Sequence, residues 1–186
     1  GREIALRAAR DGANIVIAAK SAEAHPKLPG TIHSVAAEVE AAGGKALALQ
    51  LDVRDEDAVK AAMAKAFEHF GSIDAVINNA GAIKLMGVEH LPPKRFDLMF
   101  QINTRAVMVC SQAALPYLKQ SRGHILSLSP PVNLDPKWFA NYGPYTTTKY
   151  GMSMLTLGMH EEFKKYGISV NSLWPKTVIA TAAIEF

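Results

Sequence analysis

Short apolar runs alternate with longer helix-like segments along nearly the whole chain, and this alternation constrains the fold most. The apolar runs cover residues 14–19, 46–52, 73–78, 124–128 and 169–173. Helical patterns cover residues 2–10, 31–42, 55–70, 94–120 and 145–166, the fourth in one or two pieces. Strands that alternate with helices form βαβ units, in which the strands run parallel. The sequence therefore predicts one α/β domain over residues 1–186, with a parallel sheet covered by helices on both faces.

Both ends of the sequence lack elements that this pattern predicts. A helical pattern begins at Arg2 with no strand before it, and the chain stops at Phe186 inside a helix-like stretch. We therefore expect a fragment that lacks the first strand and the C-terminal end of its domain.

Composition narrows the class of protein. Charged residues make up 20% of the 186 positions and hydrophobic residues 49%, which is the balance of a soluble globular domain. The formal net charge of +3 gives no electrostatic reason to expect a nucleic acid as partner. Cys110 is the only cysteine, so an internal disulfide is excluded and a reducing compartment is favoured. No apolar run approaches the roughly 18 residues that a bilayer requires. We expect a cytoplasmic protein without a membrane span, with the peroxisome as the alternative in a eukaryote.

Polar or small residues follow each of the first four apolar runs. Parallel sheets bind ligands beyond the carboxyl ends of their strands, so these residues are candidates for a binding site. They are Lys20 with Ser21, then Asp52, then Asn78 with Asn79, Ala80 and Gly81, and finally Ser129. Turn residues are also polar, and each of these positions taken alone is equally explained by a turn.

The position of Lys20 bears on the choice of dinucleotide. In a dinucleotide fold a glycine-rich loop precedes the first helix, and here only its last position, Gly1, is present. The residue that reads the adenosine ribose lies about 20 positions further on, where this chain has Ala19 and Lys20. Neither offers a carboxylate to a free 2′-hydroxyl, whereas the ammonium of Lys20 suits a 2′-phosphate. The sequence favours NADP(H), and the alternative is that Lys20 is a solvated surface residue.

Tyr145 and Lys149 are four positions apart at the start of a predicted helix. This spacing places both side chains on one face. A phenol with an ordinary pKa of about 10 exchanges protons poorly at neutral pH, and a close ammonium lowers that pKa. The pair therefore indicates a general acid or base, although such a pair taken alone is a weak signal.

Together these residues resemble the motifs of the short-chain dehydrogenases and reductases, over nearly the whole chain. Gly1 is similar to the last glycine of the family's TGxxxGxG loop, and residues 78–81 are similar to its NNAG element. Other stretches resemble the hydroxysteroid dehydrogenase-like branch, namely residues 18–20, 25–28, 129–131, 138–139, 149–153 and 173–177. The resemblance implies a Rossmann-type doubly wound sheet and an NADP(H)-dependent oxidoreductase that interconverts a carbonyl and a secondary alcohol.

The same resemblance implies roles for single residues. Asp52 resembles the family's adenine-side aspartate, and Asn103, Tyr145 and Lys149 resemble its catalytic asparagine, tyrosine and lysine. In the implied mechanism Tyr145 exchanges the proton on the substrate oxygen. Lys149 lowers the tyrosine pKa and holds the nicotinamide ribose, while Asn103 steadies a water relay. The segment that holds the nicotinamide carboxamide and the pyrophosphate corresponds to Pro175, Val178 and Thr181.

The family's catalytic serine has no direct counterpart. Val132 stands thirteen positions before Tyr145, and alignment on the strand places the serine at Pro130. Neither residue has a hydroxyl. Ser129 reaches that place with a shift of one position and is the candidate polariser of the carbonyl oxygen, with Ser127 as the alternative. The missing serine also motivates a rival function, a nucleotide-binding regulatory protein with little turnover.

Apolar residues point to the substrate and to self-association. Trp138 and Phe139 either line a lipophilic cleft or cap the core, so we expect an apolar small-molecule substrate, with a lipid-binding module as a further rival.

Two helical patterns, residues 145–166 and 104–120, are apolar on more than one face, whereas a helix packed on one side shows a single apolar stripe. We predict a homodimer or homotetramer.

The six histidines do not have the spacing of metal ligands, so we expect no metal.

Overall fold

The computed structural model describes residues 1–23 and 30–176. Its α-helices, numbered along the chain, are α1 (Arg2–Arg10), α2 (Ile32–Ala41), α3 (Glu56–Phe70), α4 (Pro93–Met99), α5 (Ala106–Ser121) and α6 (Gly143–Phe163). Its strands are β1 (Asn14–Ala19), β2 (Lys45–Gln50), β3 (Ala75–Asn78), β4 (His124–Leu128) and β5 (Ser169–Leu173). Every described strand pair is parallel. The predicted parallel α/β fold is confirmed.

The chain forms two compact units, and the first contains Gly1–Ser72 among the described residues. Here β1 and β2 pair in parallel, with Ile15 opposite Ala46. Ala9 of α1 and Val39 of α2 form the centre of a small apolar core and are almost fully buried. Gly44 permits this packing, because a Cβ there would lie 2.9 Å from the Ala9 Cβ atom.

The second unit contains residues 73–176 among the described ones, and its three-stranded sheet has the order β3-β4-β5. The central strand β4 buries Ile125 and Ser127 completely. The register places Ser127 between Asn78 of β3 and Ser172 of β5. Polar side chains of three neighbouring strands therefore share one row near the carboxyl edge of the sheet.

The predicted helical region 94–120 is unbroken and has three parts. A π-helical segment, Phe100–Arg105, joins α4 directly to α5. A π-helical turn inserts one extra residue per turn and is frequent at functional sites. The 3.6-residue pattern of the sequence does not reveal such an insertion.

Helix α6 begins at Gly143, two residues before the predicted start at Tyr145. Pro144 explains the difference, because proline in the first turn lacks only an N–H that would have no partner there. The segment Lys164–Tyr166 is a 3₁₀ turn, and Gly167 ends it at φ 73°. A second 3₁₀ turn, Pro136–Trp138, lies between β4 and α6.

In the described ranges, no helix combines the length and the apolar character that crossing a membrane demands.

Candidate active site

Helix α6 presents Tyr145 and Lys149 one turn apart near its N-terminus. Both side chains are partly buried. The Lys149 ammonium donates to the backbone carbonyl of Leu128 at 2.6 Å and lies 3.2 Å from the Met152 sulfur. Lys149 thus links α6 to the carboxyl end of β4.

The protonation of this pair differs from the expectation. Burial raises the pKa of Tyr145 above its usual value, and burial also lowers the pKa of Lys149 to about 8. We expected the lysine charge to lower the tyrosine pKa. The structure shows the opposite direction, because the phenol is desolvated by burial.

Asn103 lies in the π-helical segment and is completely buried. Its amide oxygen accepts from the Ala82 N–H at 2.7 Å, and its amide nitrogen donates to the Ala82 carbonyl at 2.9 Å. The same nitrogen donates to the Thr148 hydroxyl at 2.9 Å. Asn103 therefore ties the loop after β3 to the turn of α6 that lies between Tyr145 and Lys149.

A second contact joins the π-helical segment to α6. The Thr104 hydroxyl donates to the Thr148 carbonyl at 2.7 Å. A Cβ at Gly151 would lie 2.6 Å from Thr104 Cγ2, so only glycine permits this approach. Our sequence reasoning missed Thr148 and Gly151, although a glycine inside an apolar helical pattern is a signal of close packing.

Ser129 is almost fully buried, and its hydroxyl is surrounded by protein groups. Its Oγ atom donates to the Ser172 hydroxyl at 2.9 Å and lies 3.0 Å from Ser153 Oγ. Ser153 Oγ also lies 2.7 Å from the Pro130 carbonyl oxygen. The three serines, of which Ser129 and Ser153 are buried and Ser172 is partly buried, form a network here called the serine network. No hydrogen bond between Ser129 and Tyr145 is present among the described residues.

The other candidate positions for the serine also lack an accessible hydroxyl. Ser127 is completely buried, and its oxygen accepts from the Asn78 amide at 3.4 Å. Val132 is exposed. Next to it, Asn133 is held by the Tyr150 hydroxyl, which donates to its carbonyl at 2.8 Å and accepts from its N–H at 3.2 Å.

In the first unit, Lys20 and Asp52 lie together at the ends of β1 and β2. The Lys20 ammonium is 3.6 Å from an Asp52 carboxylate oxygen. Arg54, which sequence reasoning missed, donates to both Asp52 oxygens, at 2.9 and 3.1 Å through Nε and at 2.5 Å through a terminal nitrogen. This guanidinium is the main reason that the pKa of Asp52 lies far below its usual range. The arginine shares the carboxylate charge, and the Lys20 side chain remains 74% exposed.

The other described residues that the sequence predicts to contact the cofactor lie outside the helices and strands. Gly1 caps α1 through its carbonyl, which accepts from the Ala5 N–H at 3.0 Å. Asn79, Ala80, Gly81 and Pro175 are all exposed. A Cβ at Gly81 would lie 3.5 Å from the Asn103 amide oxygen, which is ordinary contact. Val178 and Thr181 lie outside the described residues.

Where the structure describes the chain, it contains no group of three His, Cys, Asp or Glu side chains with the geometry of a metal site.

A parallel α/β fold with a tyrosine, a lysine and a buried asparagine at one end of the sheet is typical of Rossmann-type oxidoreductases. The sequence profile described as short chain dehydrogenase matches residues 1–185, and the chain belongs to this family of oxidoreductases.

Relatives place the chain in the hydroxysteroid dehydrogenase-like branch, as its motifs indicate. Hydroxysteroid dehydrogenase-like protein 2 of Xenopus tropicalis is 59% identical over 186 residues, which are 100% of this chain and 44% of that protein. The chain thus spans less than half the length of this curated relative. A dehydrogenase structure from Xanthomonas campestris is 57% identical, with a TM-score of 0.96, and the match covers 100% of this chain and 68% of the other.

A metagenomic short-chain oxidoreductase that was solved in complex with NADP is 25% identical. Its TM-score is 0.85, and the match covers 99% of this chain and 80% of that one. These likenesses confirm the Rossmann-type fold.

Proposed function

We propose that the protein is an NADP(H)-dependent oxidoreductase that interconverts a carbonyl and a secondary alcohol on an apolar small molecule, with Tyr145 as general acid and base. One observation carries this proposal. The Tyr145 phenol is partly buried, one helical turn before Lys149, and no described residue accepts a hydrogen bond from it. Its proton is available to a substrate oxygen.

The residues of the first unit fit the adenosine end of NADP(H). Lys20 offers an exposed ammonium, and Arg54 neutralises the neighbouring carboxylate of Asp52. When bound, NADP(H) supplies or accepts the hydride at its nicotinamide ring. We assign binding of the cofactor to Gly1, Lys20, Asp52, Asn79, Ala80, Gly81, Lys149, Pro175, Val178 and Thr181. The family profile spans both units, which supports one dinucleotide-binding domain over residues 1–186.

In the second unit the chain's own residues handle the proton. Tyr145 donates it to the carbonyl oxygen or removes it from the alcohol. Lys149 has a lowered pKa and is one turn from Tyr145, so it is placed to hold a ribose hydroxyl and to pass a proton onward. Asn103 positions this turn of α6 through Thr148.

Two loops with exposed apolar side chains support an apolar substrate. The loop after β3 exposes Ile83, Leu85 and Val88, and the loop after β4 exposes Leu134, Trp138 and Tyr142. The loops approach each other where a Cβ at Gly87 would lie 3.8 Å from the Asn141 carbonyl oxygen. The Trp138 carbonyl accepts from the Thr146 hydroxyl at 3.0 Å, which fixes this loop beside Tyr145.

A groove along α5 and α6 supports a homodimer or homotetramer. Its volume is about 830 Å³, and its lining includes Met108, Leu115, Met154, Leu155 and Met159. Met154 is 59% exposed. The buried Ser111 hydroxyl, which also lines the groove, has no partner among the described residues. Light scattering of the full-length protein should show an oligomer at micromolar concentration, and Met154→Glu should reduce its mass. A wild-type protein that is purely monomeric contradicts this assignment.

For the compartment, we propose the cytoplasm, with the peroxisome as the alternative, and Cys110 as a reduced, buried thiol supports a reducing environment. Imaging of the tagged full-length protein in its native cell tests this assignment.

The principal test is an oxidation assay of NADPH by the full-length protein with a panel of aldehydes and ketones. We expect turnover of at least one apolar carbonyl, and a kcat that is about 10²- to 10⁴-fold lower for Tyr145→Phe. Turnover by wild type that Tyr145→Phe leaves unchanged contradicts the mechanism.

The rival function is a nucleotide-binding or lipid-binding protein with little turnover. The serine network favours it, because the Ser129 hydroxyl is engaged within the protein. Tight NADPH binding without turnover of any carbonyl identifies the nucleotide-binding protein, and capture of a fatty-acid probe without NADPH binding identifies the lipid-binding one.

A further inference from the structure

The three residues that follow Tyr145 on α6 are threonines, and each donates its hydroxyl proton to a backbone carbonyl. Thr146 donates to the Trp138 carbonyl at 3.0 Å, and Thr147 donates to the Gly143 carbonyl at 2.8 Å. Thr148 donates to the Tyr145 carbonyl at 2.8 Å. A hydroxyl has a single proton, so none of the three is left to polarise a substrate.

The serines at the end of β4 are removed from solvent by burial. Ser129 is 2% exposed and donates to Ser172 inside the serine network. Ser127 is 0% exposed and lies beside the Asn78 amide. Pro130 has no hydroxyl. The place of the family's serine thus has no available donor among the described residues.

The segment from Leu128 to Asn133 is also held too firmly for Ser129 to move by one position. The Lys149 ammonium binds the Leu128 carbonyl, and Ser153 Oγ contacts the Pro130 carbonyl. The Tyr150 hydroxyl binds Asn133 through both its N–H and its carbonyl. Lys149, Tyr150 and Ser153 of α6 thus all bind this segment. A shift of Ser129 would break these contacts and the hydrogen bond from Ser129 to Ser172.

Resting on the proposed function, we infer that neither the serines at the end of β4 nor the three threonines after Tyr145 supply a second hydroxyl to the carbonyl oxygen, and that the enzyme therefore favours electrophilic carbonyls, namely aldehydes and α-dicarbonyls, over simple ketones. The carbonyl carbon accepts a hydride and its oxygen accepts the Tyr145 proton, so that an alcohol forms while NADPH becomes NADP⁺. One missing donor to a developing oxyanion costs about 10²- to 10³-fold in rate. A carbonyl carbon that is already electron-poor depends less on such polarisation.

The test measures kcat/KM of the full-length protein with NADPH and three probes of one chain length, octanal, 2-octanone and 2,3-octanedione. We expect octanal and the dione to exceed 2-octanone by about 10²-fold or more. The Ser129→Ala variant should keep the ratio of octanal to 2-octanone within about threefold of wild type, because its hydroxyl does not touch the substrate. Ser172→Ala is the matched control, since it removes a hydroxyl from the same serine network.

Using a ratio of two substrates on one preparation cancels any loss of folded protein. The inference is overturned if 2-octanone is reduced as efficiently as octanal and the dione. It is also overturned if Ser129→Ala lowers kcat/KM for 2-octanone at least about tenfold more than for octanal while Ser172→Ala does not. A wild-type protein that binds NADPH but reduces none of the three probes, nor any carbonyl of the wider panel, contradicts the proposed function itself and removes the inference with it.

Discussion

The first unit and the second unit each hold a polar cluster, and the two clusters differ in their exposure to water. Lys20, at the ends of β1 and β2, is 74% exposed and 3.6 Å from Asp52. In the second unit, Asn103 is 0% exposed and makes three hydrogen bonds to Ala82 and Thr148. Exposed charges attract a ligand through water and are screened by salt. Substituting such a residue therefore changes the stability of the fold little. Buried polar groups fix the positions of the segments that they join, so removing one lowers the free energy of unfolding substantially.

Tyr145→Phe should give the largest effect, because it removes the proposed acid and keeps the ring. General acid catalysis contributes about 10²- to 10⁴-fold, and we expect a loss of kcat of that size. NADPH affinity should stay unchanged, which fluorescence titration measures. Full carbonyl-reducing activity in this variant contradicts the assignment of Tyr145.

Asn103→Ala tests the cost of the buried cluster. The change leaves the Ala82 N–H and carbonyl and the Thr148 hydroxyl without their partner. We expect the free energy of unfolding in urea to fall by about 2 to 4 kcal/mol. Lys20→Ala is the matched control from the exposed cluster, and it should change stability by no more than about 0.5 kcal/mol. Equal losses in both variants would abolish the contrast between the clusters.

Lys20→Asp tests the exposed cluster as a reader of the cofactor. A charge-assisted contact to a 2′-phosphate is worth about ten- to a hundredfold in affinity. Wild type should therefore bind NADPH more tightly than NADH by that factor at low salt, and the variant should reverse the order. NADH binding as tight as NADPH binding in wild type shows that Lys20 does not read the phosphate.

The pH dependence of stability gives the smallest effect. Burial lowers the pKa of Lys149 to about 8, so the folded state binds this proton less readily than the unfolded state. The resulting penalty is fully present below pH 8, and it is relieved as pH rises toward the usual lysine pKa of about 10.5. Relative to Lys149→Met, wild type should gain about 1 to 2 kcal/mol of unfolding free energy between pH 7.5 and pH 9.5. A difference that does not change with pH means that Lys149 is not desolvated.

The proposed roles of the site residues follow from sequence to unequal degrees. Tyr145 and Lys149 form a local pair whose spacing directly predicts a common helical face, and the structure places both at the start of α6. The role of Ser129 as the polariser of the carbonyl oxygen stays a prediction. Its hydroxyl is directed by Ser153 and Ser172, and Ser172 is 43 positions away.

The sequence by itself determined the order of the elements and the bounds of three strands. The predicted runs 14–19, 124–128 and 169–173 coincide with β1, β4 and β5, because the hydrophobic pattern of a strand is written in neighbouring residues. Tertiary structure alone decided the hydrogen-bond partners of the polar side chains. Asn103 meets Thr148 from 45 positions away, and the Lys149 ammonium binds a carbonyl 21 positions before it instead of lowering the tyrosine pKa. Burial and partner geometry set hydrogen bonds and pKa values, and both arise only when distant segments come together.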